Sequence, residues 1–141
     1  MNQLLLIPFQ LPSLNKMILA NRTNWQTGAA LKRKTEQRIA WAIKAAGIKP
    51  VTYPCIVHMT FEEPNRRRDC DNVESAKKFI LDALVKTGIL KGDSPRYVAG
   101  CPSWTRYVEG GAQVLVTIIE DEREDMLRRR LANAAEIVKG D

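Results

Sequence analysis

The sequence predicts a single small α/β domain of the α+β kind, a mixed β-sheet with two helices packed on it and a further helix at the C-terminus. Three observations predict it. At 141 residues and 45% hydrophobic content, the chain suits one domain with a real core. Residues 52–61 alternate with period two, Cys55, Val57, Met59 and Phe61 against Ile56, His58 and Thr60, as a strand requires. Residues 29–46 and 72–87 carry apolar side chains at helical spacing.

In chain order, residues 3–8 read as a short buried strand. Residues 10–28 show Pro, Asn and Thr in place of a period and read as a long loop, with Asn15, Lys16, Asn21 and Arg22 as polar candidates for substrate contact. The helix over 29–46 places Leu31, Ile39, Ala42, Ile43 and Ala46 on one side and Lys32, Lys34 and Arg38 elsewhere, and Gly47 closes it. The strand over 52–61 turns its odd-numbered set to the core. A charged loop over 62–71 follows. The helix over 72–87 then buries Val73, Ala76, Phe79, Ile80, Ala83 and Leu84 and stops at Gly88.

Strands are expected at 96–101, 104–108 and 112–119, the last two joined as a hairpin by Gly110-Gly111. From residue 121 the composition is strongly charged, and Leu127, Leu131, Ala134 and Val138 at helical spacing predict a helix whose apolar stripe docks on the domain or on a second subunit. The domain is thus expected over 1–120 and a helical extension over 121–141.

With 22 Lys+Arg against 16 Asp+Glu the net charge is +6 and the pI about 9.4, a balance that favours a polyanionic partner. Cysteines at 55, 70 and 101 form no CxxC pattern, so neither a disulfide framework nor a zinc site is indicated. The apolar run over 4–9 is too short for a signal-peptide core, lacks a preceding basic residue and is broken by Pro8. No run approaches a membrane span, so a cytoplasmic protein without a membrane partner is expected.

The chemistry concentrates between residues 66 and 93. Arg66-Arg67-Arg68 leads into Asp69-Cys70-Asp71-Asn72, a helical stretch carries Lys78 and Asp82, and Asp93 follows. Carboxylates held together need a divalent cation or direct pairing with the arginines. At about 100° per residue, Asp71, Ser75, Lys78 and Asp82 share one stripe, an ammonium between two carboxylates. Lys78 and Asp82 also fit an exposed i, i+4 ion pair, worth only about 0.3–0.5 kcal/mol. Asp71 alone suits a helix N-cap with Glu74 completing a capping box, which leaves Asp69 unexplained. The arginines either neutralise the acids or clamp phosphates bidentately.

The ordered set Arg66-Arg67-Arg68-Asp69-Cys70-Asp71-Asn72, Lys78, Leu81-Asp82-Ala83-Leu84, Gly88-Ile89-Leu90 and Asp93-Ser94 resembles the signature of the RusA family of Holliday-junction resolvases. Leu11-Pro12-Ser13-Leu14-Asn15-Lys16 also resembles that family's Pro- and Asn-containing N-terminal stretch, and the similarity covers roughly residues 3–120. The resemblance implies a homodimer that requires Mg²⁺, or Mn²⁺ in its place, and nicks opposed strands of four-way junction DNA in recombination and repair, in a phage or prophage setting. By motif match Asp69, Asp71 and Asp93 are the metal-binding catalytic acids and Lys78 the catalytic lysine. Arg66, Arg67, Arg68, Asn15 and Lys16 are expected to contact DNA, with Asp82 and Asn72 supporting from behind. This chain departs from the family in about three extra residues between Asp71 and the Leu81 segment, in Gly92 where many relatives carry Asp, and in the helix after 121.

Two other functions fit the same residues: a metal-dependent nuclease for other branched DNA, and a non-catalytic branched-DNA-binding module. The lone His58 is expected to be structural. Trp25, Trp41 and Trp104 are able to stack on an unpaired base, with Trp41 expected in the core and Trp25 in a loop.

Overall fold

The structure is a computed structural model describing residues 2–52, 54–120 and 122–139, with the side chains of 122–128 excepted. Its elements run β1 (Asn2–Ile7), α1 (Leu14–Thr23), α2 (Trp25–Ala46), β2 (Cys55–Glu63), α3 (Cys70–Glu74), α4 (Lys77–Lys86), β3 (Val98–Gly100), β4 (Ser103–Tyr107), β5 (Gln113–Glu120) and α5 (Glu122–Lys139). They form one mixed-sheet α+β domain, as the sequence predicts.

The sheet order is β1-β5-β2-β3, with β4 also joined to β2. β5 runs antiparallel to both β1 and β2. The other edge of β2 is shared: β3 pairs with it in parallel near Cys55, and β4 in parallel from Met59 to Glu63. The predicted hairpin between the last two strands is therefore absent, because β2 lies between β4 and β5. A central strand must satisfy backbone groups on both edges, and β2 does so with β5 on one side and β3 and β4 on the other. The return passes over the end of β2, where Val108 N donates to Glu63 O at 3.0 Å.

Cross-strand partners point to the same side of a sheet, and the register aligns Leu5 with Val116 and Met59, and Ile7 with Val114 and Phe61. All six are buried, in one cluster with Ile39 and Ile43 of α2 and Phe79, Ile80, Ala83 and Leu84 of α4. Each of these side chains other than Ala83 contributes about 1.5–3 kcal/mol of burial. The opposite face carries the row Leu6, Leu115, Thr60 and Trp104; Leu4 there is 75% exposed. β1 is thus an edge strand buried on one side only, through Leu5 and Ile7, where the sequence suggested a short buried strand.

Residues 10–28 are largely helical, contrary to the expected loop. Ser13 Oγ accepts from Lys16 N at 3.2 Å and starts α1. Asn24 then ends α1, its N–H donating to Ala20 O at 3.4 Å, and starts α2 by accepting from Thr27 N at 2.7 Å. These polar caps outweigh a weak apolar period. The α1–α2 corner closes tightly at Gly28, where a Cβ would stand 1.8 Å from Asn21 Oδ1.

α2 ends at Gly47, whose φ of 66° is the left-handed cap that glycine adopts without strain. Its inner face differs from expectation: Ile39 and Ile43 are buried together with Thr35 and Glu36, while Ala46 is exposed. Trp41 is 80% exposed and so outside the core.

The helix expected over 72–87 is two. Ser75 Oγ donates to Asn72 O at 2.8 Å, and Ala76 N bonds to Val73 O at 3.2 Å. This local competition tightens the turn and separates α3 from α4. The six apolar residues expected inside, Val73 to Leu84, are all buried. In α5, Leu131, Ala134 and Val138 are exposed, so the stripe does not dock on the domain through them; Asp121 and the Leu127 side chain lie outside the described residues.

Candidate nucleic-acid and metal site

The site begins where β2 ends. Glu62 and Glu63 close that strand and are buried, so they do not belong to the charged loop expected over 62–71. Glu62 accepts from Gln113 Nε2 at 2.6 Å and from Arg106 Nη2 at 2.6 Å. Those bonds, Gln113's first and Arg106's second, hold its carboxyl below the usual range. Glu63 meets Arg68 Nη1 at 3.1 Å and Gln10 Nε2 at 3.1 Å.

The three arginines then diverge. Arg68 turns inward, and its Nη2 also donates to Leu11 O at 3.2 Å. Its Nε is buried without a hydrogen-bond partner among the described residues. Arg66 lies 4.9 Å above the Tyr107 ring, a cation–π contact. Arg67 is exposed, with its N–H turned to Asn65 Oδ1 at 3.0 Å.

Asp69 occupies the N-cap position of α3 without a side-chain cap, and Asp71 lies in the first turn. Glu74 bonds Ser103 Oγ, and Thr105 Oγ1 at 2.8 Å, so the alternative of an Asp71–Glu74 capping box is excluded. Asp69 and Asp71 are exposed, and no ion pair or side-chain hydrogen bond ties either to another described residue. Asn72 Oδ1 accepts from Asn15 N at 3.1 Å. The α1 start and the acidic turn, 57 residues apart in sequence, are thereby brought together.

Lys78 Nζ stands 3.1 Å from Asp93 Oδ2 and 3.4 Å from Asp82 Oδ1. The expected ammonium between two carboxylates exists, but its partners are Asp93 and Asp82, since the break at Ser75 separates Asp71 from the stripe. Asp82 lies 3.7 Å from Lys32. The hydrogen bond to Asp93 first, and that to Asp82 second, raises the Lys78 pKa. The Lys78 hydrogen bond holds the Asp93 carboxyl below the usual carboxylate range. At Gly92 a Cβ would lie 2.9 Å from the Tyr97 ring, a steric reason for glycine there.

Among the described residues no group of three or more His, Cys, Asp and Glu is disposed to hold a metal ion. Asp69 and Asp71 offer exposed hard oxygens with no side-chain partner among the described residues, whereas Asp93 is engaged by Lys78 and is not gathered with them into one group. His58 is half-buried beside Thr117, and Trp25 and Trp104 are exposed, Trp25 as the first residue of α2.

Sequence reasoning missed Glu62, Arg106 and Gln113, which the register aligns across β4, β2 and β5. The strand parity carried that signal, but the predicted hairpin hid it. Among the described residues no helix is long and apolar enough to cross a membrane. Comparison with protein-family models gives no match, and comparison with curated proteins gives none either.

Proposed function

We propose that this α+β protein is a metal-dependent, structure-specific endodeoxyribonuclease that resolves four-way DNA junctions by paired nicks. The observation that carries the reading is the joining of the Leu11–Asn15 backbone to Arg68 and Asn72, the residues that flank exposed Asp69 and Asp71 in sequence.

Asp69, Asp71 and Asp93 are the residues that would hold Mg²⁺ or Mn²⁺. Such an ion supplies activation of water and neutralisation of charge at a phosphate. Arg66 and Arg67 grip flanking phosphates as bidentate donors. Lys78 offers its ammonium to charge developing on the phosphate, and Asp82 orients it. Asn72 and Asn15 hold the strand-facing segments together, with Lys16 on the same helix start. Two symmetric cuts want two sites about a two-fold axis, and the exposed row Leu6, Leu115 and Trp104 supports pairing with a second copy. The cytoplasm suits a chain with unpaired Cys55, Cys70 and Cys101.

The lack of an assembled three-carboxylate group among the described residues favours one second reading, a non-catalytic module that binds branched DNA. Incubating a synthetic four-way junction with and without Mg²⁺, with the parent protein, Asp71→Asn and a linear duplex in parallel, tests both. Paired nicks that need Mg²⁺, vanish in Asp71→Asn and spare the duplex uphold the resolvase. Cutting of flaps or duplex as readily as of junctions points to a broader nuclease, and tight binding without product in Mg²⁺ and Mn²⁺ to the binding module.

A further inference from the structure

We infer that a basic cavity beside the start of α1 is a phosphate-binding pocket, separate from the acidic turn. The cavity has a volume of about 220 Å³ and is lined by Phe9, Ser13, Lys16, Lys34, Arg38 and Arg68, among others. No carboxylate lines it. Four cations around one void repel one another unless an anion sits among them. Only Arg68 of the four has an ion-pair partner, Glu63; Lys16, Lys34 and Arg38 have none among the described residues.

Arg38 and Arg68 are held in place by contacts of their own. Lys34 and Arg38 stand one turn apart on α2, and neighbours at i, i+4 share a face. The Arg38 guanidinium lies 3.8 Å over the Phe9 ring, which fixes its plane. Arg68 is held from behind by Glu63 and by the Leu11 carbonyl. Ser13 Oγ accepts the α1 capping bond from Lys16 N, so its hydroxyl proton remains able to donate to an oxyanion. The volume is several times the ~30 Å³ share of one water, enough for a phosphate with part of its sugar.

The ligand is thus a phosphate group of a nucleic-acid strand, either an internal diester or a terminal monoester. Only that choice of source rests on the function proposed above. Arg68, which lines the cavity, adjoins Asp69 in sequence.

The test titrates the full chain with inorganic phosphate at constant ionic strength and follows backbone amide shifts, for the parent, for Lys34→Gln/Arg38→Gln and for Arg38→Lys. Saturable shifts around Ser13 and Lys34, lost in the double variant and partly kept in Arg38→Lys, are expected; thermal melts confirm that each variant is folded. The same proteins then meet a single-stranded oligonucleotide carrying a 5′-phosphate or a 5′-hydroxyl. Equal affinity of the two for the parent identifies a diester, and preference for the 5′-phosphate identifies a terminal group. In either case the double variant loses roughly tenfold or more, the worth of one charge-assisted hydrogen bond, and its salt slope falls by about 1 per lost contact.

Phosphate and oligonucleotide binding within twofold of the parent in the folded double variant overturns the pocket, even if junctions are still cut. Phosphate binding that depends on Lys34 and Arg38, in a protein that neither binds nor cuts junctions, upholds the pocket and removes the nuclease reading.

Discussion

Cys70 lies exposed between Asp69 and Asp71, whereas burial first, and then Glu120, pushes the Cys55 thiol up to about 11, and burial raises that of Cys101. Only thiolate reacts with alkylating reagents. Iodoacetamide at neutral pH is therefore expected to modify Cys70 well before Cys101 and to leave Cys55 untouched, as read by peptide mass spectrometry. Junction DNA is expected to slow the Cys70 reaction; labelling of Cys55 at the Cys70 rate would contradict the buried face of β2. Lys78 and Asp93 supply a second prediction. The lowered Asp93 pKa means that the pair stabilises the fold above the ordinary carboxylate pKa and loses that contribution as pH falls through the lowered value. The raised Lys78 pKa sets the other limit, with the contribution lost as pH rises through it. Lys78→Gln is expected to return the Asp93 carboxyl to the ordinary range in a carboxyl-carbon NMR titration. An unchanged Asp93 titration would show that another group holds it. That Lys78 serves two acids was legible from helical spacing, but the identity of the second acid was not, because a single serine hydroxyl interrupts the helix.

Elements with strong local periods were legible. β2 announced its buried face by alternation, and Gly47 and Gly88, with φ of 66° and 80°, mark two helix ends that the sequence placed correctly. α1 was not legible, because its limits rest on the side chains of Ser13 and Asn24 and its apolar period is weak. The strand partners were equally hidden: Gly110-Gly111 signals a turn, yet a turn does not say which strand lies alongside. The α1–α2 corner carries an element-scale prediction. Asn21 is exposed, so its amide is able to swing away from a methyl group at position 28. Gly28→Ala should then gain most of the helix-propensity difference, about 0.5–1 kcal/mol, and raise the melting temperature. A fall in melting temperature would mean that the two helices are locked at this contact.

At the scale of the whole molecule the two faces of the sheet have different duties. Ile80→Ala, on the helix-covered side where Ile80 is fully buried, is expected to cost about 2–5 kcal/mol in chemical unfolding. Leu6→Lys, on the bare side, is expected to change stability by about 0.5 kcal/mol or less within the subunit. Sedimentation should instead show a shift from dimer to monomer. A parent protein that sediments as a monomer would remove the second subunit from the proposed mechanism. The mixed-sheet class was readable from composition and periods, whereas the convergence of Asn15, Arg68 and Asn72 depends on contacts across 57 residues, beyond the reach of any local pattern.

The pairing of β1 with β5 also has a kinetic side. Leu5 and Ile7 face Val116 and Val114, made about a hundred residues later. At a synthesis rate of roughly 5–20 residues per second, β1 waits on the order of 5–20 s for β5, its strand partner among the described residues. During that wait Leu4, Leu5, Leu6 and Ile7 form an apolar, unpaired segment. Long-range closure of this kind is slow, so this segment is where a chaperone would meet the nascent chain.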